Sequence, residues 1–143
     1  FLKPDPDITL TIPSGTNKAI SVGAYNSYND TIASFSGRGF TREENQVKPD
    51  IVAPGVNIVS ASNAGGTNSM SGTSMATPFV TGGAALMMEW GIVRGNDRYL
   101  YGEKVKAYMI RGARKLPGLN SWPNKQAGWG ALCLEKSFPQ KML

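Results

Sequence analysis

Ser74 stands in the run Ser71-Gly72-Thr73-Ser74-Met75-Ala76-Thr77-Pro78, where a polar turn passes straight into an apolar segment. A hydroxyl at the first turn of a helix lies where backbone N–H groups lack intrahelical partners and the positive end of the helix dipole points outward. An anion forming there is stabilised. Acyl transfer needs such a place, because attack on an amide carbonyl leaves an oxyanion that donors must already face. Gly72 opens the approach to Ser74 by lacking a Cβ, and Ala76 is small. Pro78, four residues after Ser74, has no N–H, so the Ser74 carbonyl loses its usual helical partner and the first turn is loosened. A purely structural helix gains nothing from that. Gly-Thr-Ser taken alone is nevertheless a common sequence, and by itself it reads most simply as a helix cap.

The elements that must position Ser74 are legible on both sides of it. Upstream, "AISVGAYN", "TIASFSGRG", "DIVAPG" and "NIVSAS" read as short strands separated by Gly, Asn, Asp and Pro clusters. Ile51-Val52-Ala53 before Pro54-Gly55 reads as a buried strand ending in a turn. Downstream, Met75 to about Trp90 is apolar nearly all round and predicts a helix buried on most faces, with Gly91 as its stop. Gly82-Gly83 inside it costs about 1 kcal/mol per glycine relative to alanine, which is tolerated where another backbone passes close by. A second helix over 102–112 carries Val105, Tyr108, Met109 and Gly112 at helical spacing, with Glu103, Lys104 and Lys106 facing water. "LPGLNSWPNKQ" reads as loop and "GWGALCL" as a short closing strand. The class is α/β.

Composition sets the frame. A chain of 143 residues is one ordinary domain in size. Apolar residues make up 41% of it and are dispersed, with no run of the roughly 20 that a membrane helix needs, so no membrane partner is expected. It opens on Phe1, with no basic-plus-apolar leader, and an internal start is expected. The single cysteine, Cys133, is expected as a small buried hydrophobe. Fifteen Lys and Arg against ten Asp and Glu give +5, yet Arg38, Arg42, Lys48, Arg94, Arg98, Lys104, Lys106, Arg111, Arg114 and Lys115 are scattered. That is a solvated surface and not a nucleic-acid patch.

"AISVGAYN", "IASFSGRG", "KPDIVAPG", "SGTSMATPFVTGGAAL" and "GWGAL", in this order, resemble the C-terminal part of the catalytic domain of the subtilisin-like serine proteases, the subtilases of peptidase family S8. The likeness runs from about Ile12 to Leu134. "LKPDPDITLTIP" and "MMEWGIVRGNDRYLYGEKVKAYMIRGARKLPG" are similar to a clostridial branch related to the spore-germination proteases. The resemblance implies the C-terminal part of a three-layer α/β/α fold with a mostly parallel sheet, with residues 1–11 connecting from an upstream segment and 12–137 forming the core. It implies Ser74 as the nucleophile of a Ser-His-Asp triad, its backbone N–H as one oxyanion donor, and Thr73 assisting through its hydroxyl. Met70, Ser71 and Gly72 would line the leaving-group side of the scissile bond, Met75 would be the oxidation-prone neighbour, and Pro13 would be a cis proline beside the substrate pocket. With the longer run and this resemblance, nucleophile displaces cap as the reading of Ser74.

The departures are equally informative. The sequence contains no histidine, so the general base is absent. In subtilases the catalytic Asp and His and the oxyanion Asn precede the "VGAYN" strand. Asp5, Asp7 and Asn17 match none of these motifs, and Asp50 reads as a turn or surface carboxylate. Phe79 stands where many relatives carry histidine, a difference of packing. The expectation is a serine endopeptidase whose chain, as given, carries only the nucleophile and is inactive alone. The alternatives are a pseudoprotease or binding subunit, and an unrelated module whose serine caps a helix. Expected partners are a peptide or protein substrate and the missing N-terminal part, with self-association of the fragment and no nucleic acid. No cofactor is assigned, although calcium is common in the family. The resemblance favours an extracellular or spore-associated protein.

Overall fold

The computed structural model describes residues 3, 5–41 and 46–139, so Arg42 lies outside the described residues. Within them the early β-runs build two small sheets. In the first, β1 (Val22–Asn26) is central, with β2 (Thr31–Ile32) antiparallel on one side and β3 (Ile51–Pro54) parallel on the other. In the second, β4 (Ile58–Ala61) pairs antiparallel with β5 (Thr67–Met70). Helix α1 (Thr73–Met88) follows β5 and runs on into a π-helical turn over Glu89–Val93; α2 (Gly102–Gly112) and the single turn α3 (Leu134–Ser137) complete the order.

Strand alternation divides the core. Ala24, Ile51 and Ala53 point to one face and pack with Ala76, Val80 and Met87 of α1 and Val105 and Met109 of α2. Tyr25 and Val52 point the other way, against Leu116, Ala127 and Ala131. The chain thus supplies a sheet and one helical layer, and irregular backbone from the 116–131 region covers the opposite face.

Several expectations are corrected. α1 buries one stripe, Ala76, Val80, Gly83 and Met87, and leaves Phe79 and Leu86 42% and 52% exposed, because no described residue covers that side. A Cβ on Gly83 would meet the Leu134 side chain at 2.6 Å, while around Gly82 there is open space. The glycine pair therefore admits a side chain at one position and nothing at the other. Gly91 does not stop the helix. It sits in the π-helical turn, where its carbonyl accepts the Asp97 N–H at 2.9 Å and any Cβ would strike Leu100.

The closing strand shrinks to one rung. Val52 donates to the Gly130 carbonyl at 2.9 Å and Leu132 donates to Val52 at 2.8 Å, while Ala131 exchanges two 2.8 Å bonds with Arg114. Gly128 and Gly130 have φ of 56° and 137°, which breaks extended pairing on either side. A side chain at Gly128 would collide with the Pro49 and Asp50 carbonyls, so the close backbone approach expected here is present. Cys133 is half-buried and not fully enclosed.

Asp50 is not a surface carboxylate. It is 3% exposed and bonded to both Lys48 and Lys106, and Lys106 accordingly turns inward instead of facing water. At the β1–β2 turn, Asp30 receives both Arg114 guanidinium arms at 2.8 and 2.9 Å. Arg114 holds the Asp30 carboxyl below the usual carboxylate range and is itself held above its ordinary value.

Candidate active site

Ser74 is the second residue of α1 and is exposed. Its position follows from small residues beneath it. β3 ends at Pro54; Gly55 then donates its N–H to the Tyr25 carbonyl at 3.0 Å, and its own carbonyl accepts the Gly72 N–H at 2.8 Å. A Cβ on Gly55 would lie 2.6 Å from Ala24 Cβ, 2.9 Å from the Gly72 oxygen and 3.3 Å from Ala76 Cβ. No larger side chain fits among these four residues. They seat the start of α1 on the carboxyl ends of the parallel strands β1 and β3, the edge where open α/β sheets bind ligands.

The first turn leaves two donors free. The Gly72 carbonyl accepts the N–H groups of Met75 at 3.1 Å and Ala76 at 3.3 Å. The N–H groups of Thr73 and Ser74 have no acceptor among the described residues, and neither does the Ser74 hydroxyl. Pro78 denies the Ser74 carbonyl its i+4 donor, as expected. The Thr77 and Thr81 hydroxyls bond the carbonyls one turn before them at 3.0 and 3.3 Å, so they contribute nothing to the end of the helix that faces Ser74. Free amides, an exposed hydroxyl and the positive end of a 16-residue helix coincide at one place.

The hairpin of β4 and β5 forms the approach to this point. Met70 lies opposite Ile58 at its base, 52% exposed. The Ser71 hydroxyl accepts the Asn57 N–H at 2.8 Å and lies 3.4 Å from Asn57 Oδ1. Asn57 has φ of 53°, the left-handed region that asparagine tolerates. Ser71 therefore ties the hairpin base just before the helix begins. Met70 and Met75 line one cavity of about 260 Å³ with Ile58, Asn63 and Asn68, and Ser74 lines a shallow depression of about 490 Å³ with Thr77, Pro78 and Gly82. The hairpin was missed because "TNSM" has no apolar alternation. The signal that could have revealed it is the turn chemistry of Asn63-Ala64-Gly65-Gly66, whose two glycines have φ of 89° and 70°.

Ile12–Pro13 is cis, in agreement with the expectation for Pro13. Pro13 lines a larger cavity of about 950 Å³ with Ile12, Gly15, Asn17 and Phe40. Asp5, Asp7 and Asn17 are not brought to Ser74: Asp7 pairs with Lys125, and the Asn17 carbonyl accepts from Lys106. Among the described residues no group of three or more His, Cys, Asp or Glu side chains is placed to hold a metal.

A serine at a helix start, above the carboxyl ends of parallel strands and beside a hairpin, defines a class that comparison with known proteins makes specific. The model of the Subtilase family, Peptidase_S8, matches residues 4–130, and the chain belongs to that family. It is 35% identical over 135 residues to mouse membrane-bound transcription factor site-1 protease, covering 91% of this chain and 12% of that protein. It is 36% identical over 154 residues to serine protease AprX of Bacillus subtilis, covering 92% of the chain and 32% of that relative. Among solved structures, the CspB protease of Clostridium perfringens superposes with a TM-score of 0.90 at 47% identity, over 95% of this chain and 29% of that one. The prenylagaramide maturation protease PagA does so at 0.74 and 30%, over 93% and 46%. The chain thus spans a third or less of these curated relatives and has the corresponding part of a subtilisin-like α/β fold.

Proposed function

We propose that Ser74 is the nucleophile of a serine endopeptidase that cleaves peptide bonds through an acyl-enzyme. The observation that carries this is the coincidence of an exposed Ser74 hydroxyl with the unpaired N–H groups of Thr73 and Ser74 on a helix seated at the strand ends. In the reaction the Ser74 Oγ–C bond forms as the hydroxyl proton passes to a base, and the carbonyl oxygen becomes an oxyanion that the Ser74 N–H meets. Collapse expels the amine, which takes up the proton, and water then releases the acyl group. Thr73 adds a donor beside the oxyanion. Met70, Ser71 and Gly72 border the leaving-group side, Ser71 held there by its bond to Asn57, and Met75 lies beside the nucleophile.

The 143 residues contain no histidine, so on this reading the base comes from elsewhere in the whole protein, together with its aspartate and the second oxyanion donor. The chain alone is then inert, since loss of a triad member removes on the order of 10⁴ to 10⁶ of kcat. Its uncovered α1 face, with Phe79 and Leu86, should drive self-association, visible by light scattering. A fluorophosphonate probe tests the assignment: the full-length protein should be labelled, Ser74→Ala should not, and this chain alone should react no faster than the variant. An unlabelled full-length protein would favour the second reading, a non-catalytic binding subunit, for which the missing histidine speaks.

A further inference from the structure

Lys48, Asp50 and Lys106 take no part in the chemistry at Ser74. Lys48 and Asp50 are 1% and 3% exposed, and Lys106 reaches them from α2. The Lys106 ammonium forms an ion pair with Asp50 Oδ1 at 2.8 Å and donates to the carbonyls of Asn17 at 2.8 Å and Ala19 at 3.2 Å. The Lys48 ammonium donates to Asp50 Oδ2 at 2.7 Å and to the Ala19 carbonyl at 3.0 Å. Asp50 Oδ2 also accepts the Ser21 N–H at 2.7 Å. The two cations meet only oxygen, from one carboxylate and two carbonyls. That is the donor chemistry hard metal ions select, and two ammoniums bring the charge of one divalent ion.

The geometry points to an internal cation bridge: the ammonium groups of Lys48 and Lys106 fill an all-oxygen cage made by Asp50, Asn17 and Ala19, and hold the 12–19 segment without a divalent metal. This segment lines the cavity of about 950 Å³ through Ile12, Pro13, Gly15 and Asn17. One wall of that cavity is therefore fixed by charges from β3's approach and from α2. Burial pushes the Lys48 ammonium toward deprotonation while Asp50 opposes it, so the carboxylate is what keeps the cage charged.

The test uses the 143-residue chain and two variants. Thermal unfolding of the wild type should be unmoved by excess EDTA or by added calcium chloride. In Lys106→Met, amide exchange over 14–21 should quicken more than elsewhere, and calcium should raise the Tm. Lys106→Arg, which keeps a cation, should stay insensitive to calcium. A fall in the wild-type Tm on chelation overturns the proposal. So does a Lys106→Met chain whose exchange over 14–21 is unchanged, or which calcium fails to stabilise. If Lys106→Met does not fold, the wild-type response to chelator decides alone.

Discussion

The two ends of β3 are built on opposite terms. Before Ile51 lies the Lys48–Asp50–Lys106 cluster, buried and with its polar groups paired. After Pro54 lies the start of α1, where two amides and a hydroxyl have no partner among the described residues. Four residues, roughly 13 Å of strand, separate them. Reactivity needs groups left free for a substrate, and such groups cost stability. Rigidity must then come from a neighbouring region in which nothing is left free, and β3 joins the two.

The sharpest way to break this contrast is at the closed end. Asp50→Asn removes the one carboxylate that, among the described residues, pairs with both the buried Lys48 ammonium and that of Lys106, and should destabilise the chain by about 3–5 kcal/mol, read by urea unfolding. A loss below about 1 kcal/mol would mean that water already screens the cluster. At the open end, Gly55→Ala pushes a methyl against Ala24 and the Gly72 carbonyl. It should cost about 1–3 kcal/mol, and in the full-length protein it should slow fluorophosphonate labelling of Ser74. Unaltered labelling would show that the helix start is seated by something else.

Smaller effects refine the picture along α1. Gly82→Ala meets open space and should stabilise this chain by about 1 kcal/mol, whereas Gly83→Ala must displace Leu134 and should gain less or lose stability. Equal gains in Tm would dismiss the contact with Leu134. The smallest effect concerns Asp30. Its carboxyl is held below the usual range by Arg114, so its contribution is present above about pH 4 and is lost as pH falls through the folded-state value. Wild type should exceed Asp30→Asn in stability at neutral pH and converge with it in acid. A constant gap across pH would remove the ion pair from the account.

Much of this was legible in the sequence because local chemistry agreed with the tertiary outcome. Ile51-Val52-Ala53 reads as a buried strand and is one; 102–112 reads as a helix and spans Gly102–Gly112. The position of Ser74 at a helix start followed from glycine before it and apolar residues after it. What escaped was set by partners distant in sequence. Asp50 looked like a surface acid because its lysine from α2 lies 56 residues on. The bond of Ser71 to Asn57 was not legible because it crosses a hairpin whose second strand, Thr67–Met70, lacks apolar alternation. α1 looked enclosed because its residues are apolar all round, and apolar composition does not say which face finds a neighbour.

The single rung at Ala131 has a consequence for how the molecule is made. β3 pairs with β1 on one side, and on the other it is closed, among the described residues, by Gly130 and Leu132, some 80 residues later. During synthesis that flank of the sheet waits unpaired while both main helices form. The nascent chain is thus open to wrong pairing along this flank until Leu132 emerges, and a ribosome stalled short of Leu132 would hold a sheet with a vacant edge.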